Sequence, residues 1–285
     1  MNTTLTQQPP SHPTPVPPTK TRLAPTQVAN ETFLIHDHAG EGHAPVLVPL
    51  NAMVIRCAEP VVVDTGMMEN QDRFLEDVFS IVEPEDIRWV FISHDDVDHT
   101  GNLNALMEAA PNATVIINWF MQERMGASLG VSPMRQRWVM DGERIDVGDR
   151  TLVTVRPPVY DSPTTRGLFD PTTGVYWASD AFATPMLTPV RDVAALDPMF
   201  WDEGMLMFNQ YVSPWITMAE EHKFQTTVDR VQALGASFIT GCHTPVIGRT
   251  HIDQAIAATR RSNTAVVPPQ PDQAVLEHIQ RTLAA

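Results

Sequence analysis

Cysteine is scarce in this chain: only Cys57 and Cys242 occur in 285 residues. Two thiols so far apart give no disulfide framework and fit a reducing, cytoplasmic setting. Basic residues are also few, 19 Lys and Arg against 34 Asp and Glu, for a net charge of -15. An acidic surface argues against nucleic acid and anionic membranes as main partners, and it favours solubility. No apolar run approaches the roughly 18–20 residues that span a bilayer. The opening residues lack a basic segment followed by an apolar one, so they do not read as a secretory leader. No glycine-rich phosphate loop is present to hold a nucleotide or flavin phosphate.

At 43% hydrophobic, the chain can bury a substantial core, as one large domain or two small ones. Seven prolines precede residue 26, with Thr and Gln between them. Residues 1–28 are therefore expected to form a solvated, polyproline-like tail. Short apolar strands are expected at 53–57 and 61–64, joined as a hairpin. A helix follows, with Phe74, Val78 and Val82 on one face. A strand over 88–93, a helix from Leu103 to the Pro111–Asn112 stop, and a strand at 115–117 continue an α/β pattern. Later strands are expected at 152–155, 175–178 and 237–240. The helix over 219–235 carries Phe224, Val228, Val231 and Leu234 on one stripe, with Gly235 as its C-cap. The similarity of the two halves points to two sheets flanked by helices.

The stretch FISHDDVDHTGNL, residues 91–103, crowds His94, Asp95, Asp96, Asp98 and His99 into six positions. Carboxylates and imidazoles packed so closely are unfavourable unless a cation compensates them. The dipole of a helix N-terminus would account for acids there, but not for two histidines at a strand end. Four donors from one turn exceed what a single tetrahedral ion takes, so the spacing points to two adjacent metals.

This turn, preceded by VVVDTG, resembles the metallo-β-lactamase superfamily, and more closely its flavodiiron, or oxygen-binding di-iron, branch. Similar stretches are NAMVIRCAEPVVVDTG, the run from Glu83 to Ile117, DGERIDVGDRTLVTVRPP, GVYWASDAF and GCHTPVIG. The resemblance implies an αββα sandwich over residues 29–262, leaving 263–285 as a linker and helix. It also implies that His94 and Asp96 hold one metal and Asp98 and His99 the other. Asp180 would bridge the pair, and His243 would complete the second site. The branch usually carries Glu where this chain has Asp96. Where the family has a histidine for the first metal, this chain has PPVYDSPTTRG, so Tyr160 or Asp161 is the candidate ligand. Cys242, beside His243, is read as a packing residue with a soft ligand as the alternative.

So much carboxylate favours iron, with zinc or manganese as alternatives. The resemblance then implies a di-iron oxidoreductase acting on O2, NO or an organic substrate. It would take electrons from an external donor, since no FMN-binding flavodoxin segment is visible, and the family often works as a head-to-tail dimer. A metal-dependent hydrolase of esters, lactones or phosphodiesters is the rival, and a non-catalytic O2 or metal sensor a third reading. His36, His38 and His43 are expected to face solvent or to support the metal ligands. The Phe200, Trp201, Met205, Phe208 and Tyr211 stretch is expected to pack in the core or at a dimer face, or else to form a lid.

Overall fold

Side-chain alternation along the strands sorts this chain into four layers. The computed structural model describes residues 20–42 and 44–283. The first half contributes β1 (Thr26–Ala29), β2 (Thr32–Ile35), β3 (His38–Ala39), β4 (Val48–Pro49), β5 (Ala52–Ile55), β6 (Val61–Val63), β7 (Trp89–Phe91), β8 (Thr114–Ile117) and β9 (Gln136–Trp138). The second contributes β10 (Arg144–Asp146), β11 (Thr151–Val155), β12 (Gly167–Asp170), β13 (Val175–Trp177), β14 (Phe238–Gly241) and β15 (Thr244–Gly248). The helices are α1 (Gln71–Phe79), α2 (Val97–Thr100), α3 (Leu103–Ala109), α4 (Trp119–Met125), α5 (Pro198–Val212), α6 (Glu221–Gln232), α7 (Ile252–Arg261) and α8 (Gln273–Leu283).

One sheet has the order β1-β2-β5-β6-β7-β8-β9, the other β10-β11-β12-β13-β14-β15. In β6, Val61 and Val63 face the second sheet while Val62 faces the helices, as a period of two requires. The inter-sheet layer joins Met53, Phe91 and Ile116 to Leu152, Leu168 and Trp177. An outer layer packs Phe74, Val78, Leu106 and Met107 on the first sheet. The opposite outer layer packs Trp201, Met205, Phe224, Val228 and Ile256 on the second. Helix, sheet, sheet, helix is the expected αββα sandwich.

Two local features depart from expectation. β1 pairs with β2 through Thr26↔Leu34, so ordered structure starts inside the stretch expected as tail. Pairing with an apolar neighbour outweighs its proline-rich surroundings. Residues 1–19 and His43 lie outside the described residues. His36 and His38 are buried instead of facing solvent. Thr26 Oγ1 meets His36 Nε2, and Glu41 Oε2 lies 2.9 Å from His38 Nε2, which makes their burial tolerable. Trp201 and Met205 pack in the core, as the plainer reading of that stretch expected.

Candidate metal centre

The centre forms where parallel strands end together. β6, β7 and β8 run parallel, as do β13 and β14. Their C-terminal ends therefore lie along one edge of each sheet, and each is followed by a loop carrying polar residues. β6 leads to Asp64, β7 to the His94–His99 turn, β13 to Asp180, and β14 to Cys242 and His243. Inside the turn the chain coils into α2, which carries Asp98 and His99. Gly101 follows because a Cβ there would sit 2.5 Å from Gly66 O and from Met68 N. Ser179 and Phe182, both with positive φ, flank Asp180 in a tight turn. A Cβ on Gly241 would meet Ser179 O at 2.4 Å, so glycine lets the Asp180 and His243 loops abut.

Asp180 stands at the middle. Its Oδ2 is 3.6 Å from His94 Nε2, and its Oδ1 is 2.9 Å from His99 Nε2 and 3.6 Å from His243 Nε2. On one side His94 Nε2 lies 3.4 Å from Asp96 Oδ2 and 3.6 Å from Asp161 Oδ1. On the other, Asp98 Oδ2 lies 3.2 Å from His243 Nε2 and 3.8 Å from His99 Nε2. Two donor groups result: His94, Asp96 and Asp161, and then Asp98, His99, Cys242 and His243, each with its ligand atoms within 4.8 Å. The buried Cys242 thiol reaches 3.7 Å from Asp98 Oδ2. Tyr160 has other surroundings: its ring packs 4.8 Å from that of Trp215, with the Arg156 guanidinium 5.3 Å over it.

Two acceptor-only groups fix the histidine tautomers. Asp64 Oδ2 lies 2.8 Å from His99 Nδ1, and Pro49 O lies 2.9 Å from His243 Nδ1. Neither oxygen can donate, so each Nδ1 carries the proton and each Nε2 lone pair faces the centre. Asp64, in the VVVDTG stretch, has no role that the sequence alone predicts. It is fully buried and also accepts from Ser93 N, Ser93 Oγ and Trp177 Nε1. An aspartate at φ 57° directly after an apolar strand was the available signal.

The electrostatics call for a cation. Four carboxylates with neutral imidazoles carry four negative charges, which two divalent ions cancel. Without them, protons are drawn in. Burial disfavours the His99 imidazolium, yet Cys242, Asp64 and Asp180 outweigh it and hold its pKa well above the usual value. His243 behaves alike, burial being outweighed by Cys242, Asp180 and Asp98. Burial raises the Asp161 carboxyl, and the neighbouring Asp180 charge raises it further. Although His99 Nε2 and Asp180 Oδ1 are close, neither has a partner in hydrogen-bond alignment, and both nitrogens of His94 are buried without one. Buried polar atoms left this way, converging on one point, fit a pair of metal ions.

The remaining acid of the turn faces away. Asp95 accepts from Ser162 Oγ and Thr164 Oγ1, each at 2.7 Å, and pairs with Arg124. It thereby ties the turn to α4 and to the loop that carries Asp161.

Residues 48–243 match the family model described as ODP family beta lactamase. The chain belongs to that family. Over 133 residues it is 30% identical to the putative diflavin flavoprotein A 1 of Thermosynechococcus vestitus, covering 46% of this chain and 23% of the relative. It is 26% identical over 144 residues to the rubredoxin-oxygen oxidoreductase of Megalodesulfovibrio gigas, covering 50% and 34%. The chain thus spans about a quarter to a third of these relatives' length. In fold it is similar to the rubredoxin oxygen:oxidoreductase of Desulfovibrio gigas, with TM-score 0.72 and 18% identity over 83% of this chain and 61% of that one. A fragment of the putative diflavin flavoprotein A 5 of Nostoc is similar over 85% and 96% of the two chains, with TM-score 0.71 and 14% identity. No helix among the described residues is long and apolar enough to cross a membrane.

Proposed function

We propose that this ODP-family chain is a dinuclear iron oxidoreductase that reduces or uses O2 or NO, with electrons arriving from outside this domain. The observation that carries the reading is the donor set. Asp96 and Asp161 flank His94 on one side, and Asp180 turns an oxygen toward each group. Hard oxygen donors in this proportion favour iron or manganese over the imidazole-dominated sites that suit zinc. The relatives' names, which include a nitric oxide reductase from Moorella thermoacetica and the rubredoxin-oxygen oxidoreductase, support redox work over hydrolysis.

His94, Asp96 and Asp161 would hold one ion, Asp98, His99 and His243 the other, and Asp180 both. Asp161 is the ligand in the disputed loop, and Tyr160 is not. When bound, a pair of reduced irons supplies electrons to a diatomic oxidant. The protein's residues set the terms. Asp64 and the Pro49 carbonyl aim two lone pairs inward, and the buried His94 and His99 keep bulk water from that side. Asp161, partly exposed beside His94, puts its carboxylate at the mouth of the site.

Metal analysis of protein purified without added metal tests this. The expected result is about two irons per chain and an absorption spectrum that changes when O2 or NO is admitted. Stoichiometric zinc with turnover of simple esters would replace the proposal by the hydrolase reading.

A further inference from the structure

Away from the metals, the loop 156–160 and α6 enclose a cavity of about 300 Å³. Its walls combine two kinds of group. Pro157, Pro158, Tyr160, Trp215 and Phe224 provide flat apolar surface, and Arg156, Lys223 and Arg230 provide positive charge. The only acid lining it is Asp141, and that carboxylate is already engaged. One oxygen accepts from the Arg156 backbone N–H at 2.6 Å, and the other pairs with Arg230 at 2.8 Å. Among the described residues no carboxylate lies within 4 Å of the Arg156 guanidinium or the Lys223 ammonium. Arg156 Nε is moreover buried without a hydrogen-bond partner. In a chain of net charge -15, two cations left over at a concave aromatic wall stand out against the prevailing field. Arg166, buried behind the same loop, is held below its usual pKa by burial and then by the Arg156 charge.

We propose that this cavity binds a small planar organic anion, an aromatic or conjugated carboxylate or phosphate. Its flat body lies against Trp215 and Tyr160, and its charge meets Arg156 and Lys223. The volume is at the lower end for ligand pockets, which suits a single ring. Trp215 donates its Nε1–H to Tyr160 O at 2.8 Å, so the aromatic wall is fixed before the ligand arrives. Arg156 Nη2 reaches the Pro163 carbonyl at 3.5 Å, and an anion in the cavity adds the charged acceptor that the guanidinium has no carboxylate to provide. The inference is independent of which metal the centre holds.

Calorimetric titration of the full chain with benzoate, phenyl phosphate and neutral benzyl alcohol decides the matter. Benzoate or phenyl phosphate should bind saturably with a Kd of about 0.1–1 mM, and benzyl alcohol should not. Arg156→Met and Lys223→Met keep the apolar stems and remove the charges. Together they should weaken binding at least about tenfold while the circular dichroism and metal content stay unchanged. Trp215→Phe should remove most of the fluorescence change that accompanies saturation. Absence of saturable binding, equal affinity for benzyl alcohol, or undiminished affinity in the folded double variant would each overturn the proposal.

Discussion

At the residue scale, Asp180 is the most informative position, because one carboxylate faces both donor groups. Asp180→Asn should lower metal content at both sites, whereas His243→Ala should mainly empty one, as metal counting on the purified variants would show. In the disputed loop, Asp161→Asn should alter the metal spectrum and Tyr160→Phe should leave it unchanged. Asp64→Asn keeps the size but can present a donor to His99 Nδ1, which disturbs the tautomer. Metal affinity should fall about ten- to a hundredfold, measured by competition with a chelator. His94, Asp96, Asp98 and His99 drew attention in the sequence because their crowding is costly without a cation, and Asp180 and His243 through the resemblance; the fold brings all six together. The choice between Tyr160 and Asp161 was not legible. Neighbouring side chains in an irregular loop point in different directions, and the packing of Tyr160 against Trp215, 55 residues away, exists only in the fold. Asp64 was hidden for a related reason: its role exists only once β6 and β7 lie side by side.

At the scale of elements, strands with strong apolar patterning were readable and polar edges were not. β6, β7, β8, β11, β13 and β14 fall within two residues of their expected places. β9, Gln-Arg-Trp, and β10, Arg-Ile-Asp, carry almost no apolar signal, since an edge strand has little to bury. How α4 and the Asp161 loop are fastened to the turn also emerges only in the fold, through Asp95. Burial pushes the Asp95 carboxyl up, but hydrogen bonds from Arg124, Ser162 and Thr164 outweigh it and bring its pKa down to about 2. The charged form is thus favoured on folding. Its contribution is complete above the unfolded value of about 4 and is lost as pH falls through about 2. Asp95→Asn should therefore be less stable than the parent at pH 7, with the gap in urea midpoints closing over that acid window. Gly101→Ala tests the packing of α2. Its Cβ would press on backbone atoms at 2.5 Å, and a loss of about 1–3 kcal/mol in urea unfolding is expected.

For the whole molecule, the distribution of ligands matters more than their number. Of the proposed ligands, His94, Asp96, Asp98 and His99 hang from the seven-stranded sheet, while Asp161, Asp180 and His243 come from loops of the six-stranded one. Bound cations would therefore add a link between two layers that also meet through apolar packing and a few hydrogen bonds, such as that from Trp177 Nε1 to Asp64 Oδ2. Each ion present at a hundred times its Kd should add about 2.7 kcal/mol, so a chelator should lower the melting midpoint well beyond what surface metal would cause. The same layout turns the sandwich into a caliper. Sliding one sheet across the other changes the gap between jaws at its rim, so strain introduced deep between them is read out at the metals. Leu168 lies in that layer, and shortening it to alanine should shift the spectrum of whatever metals are bound.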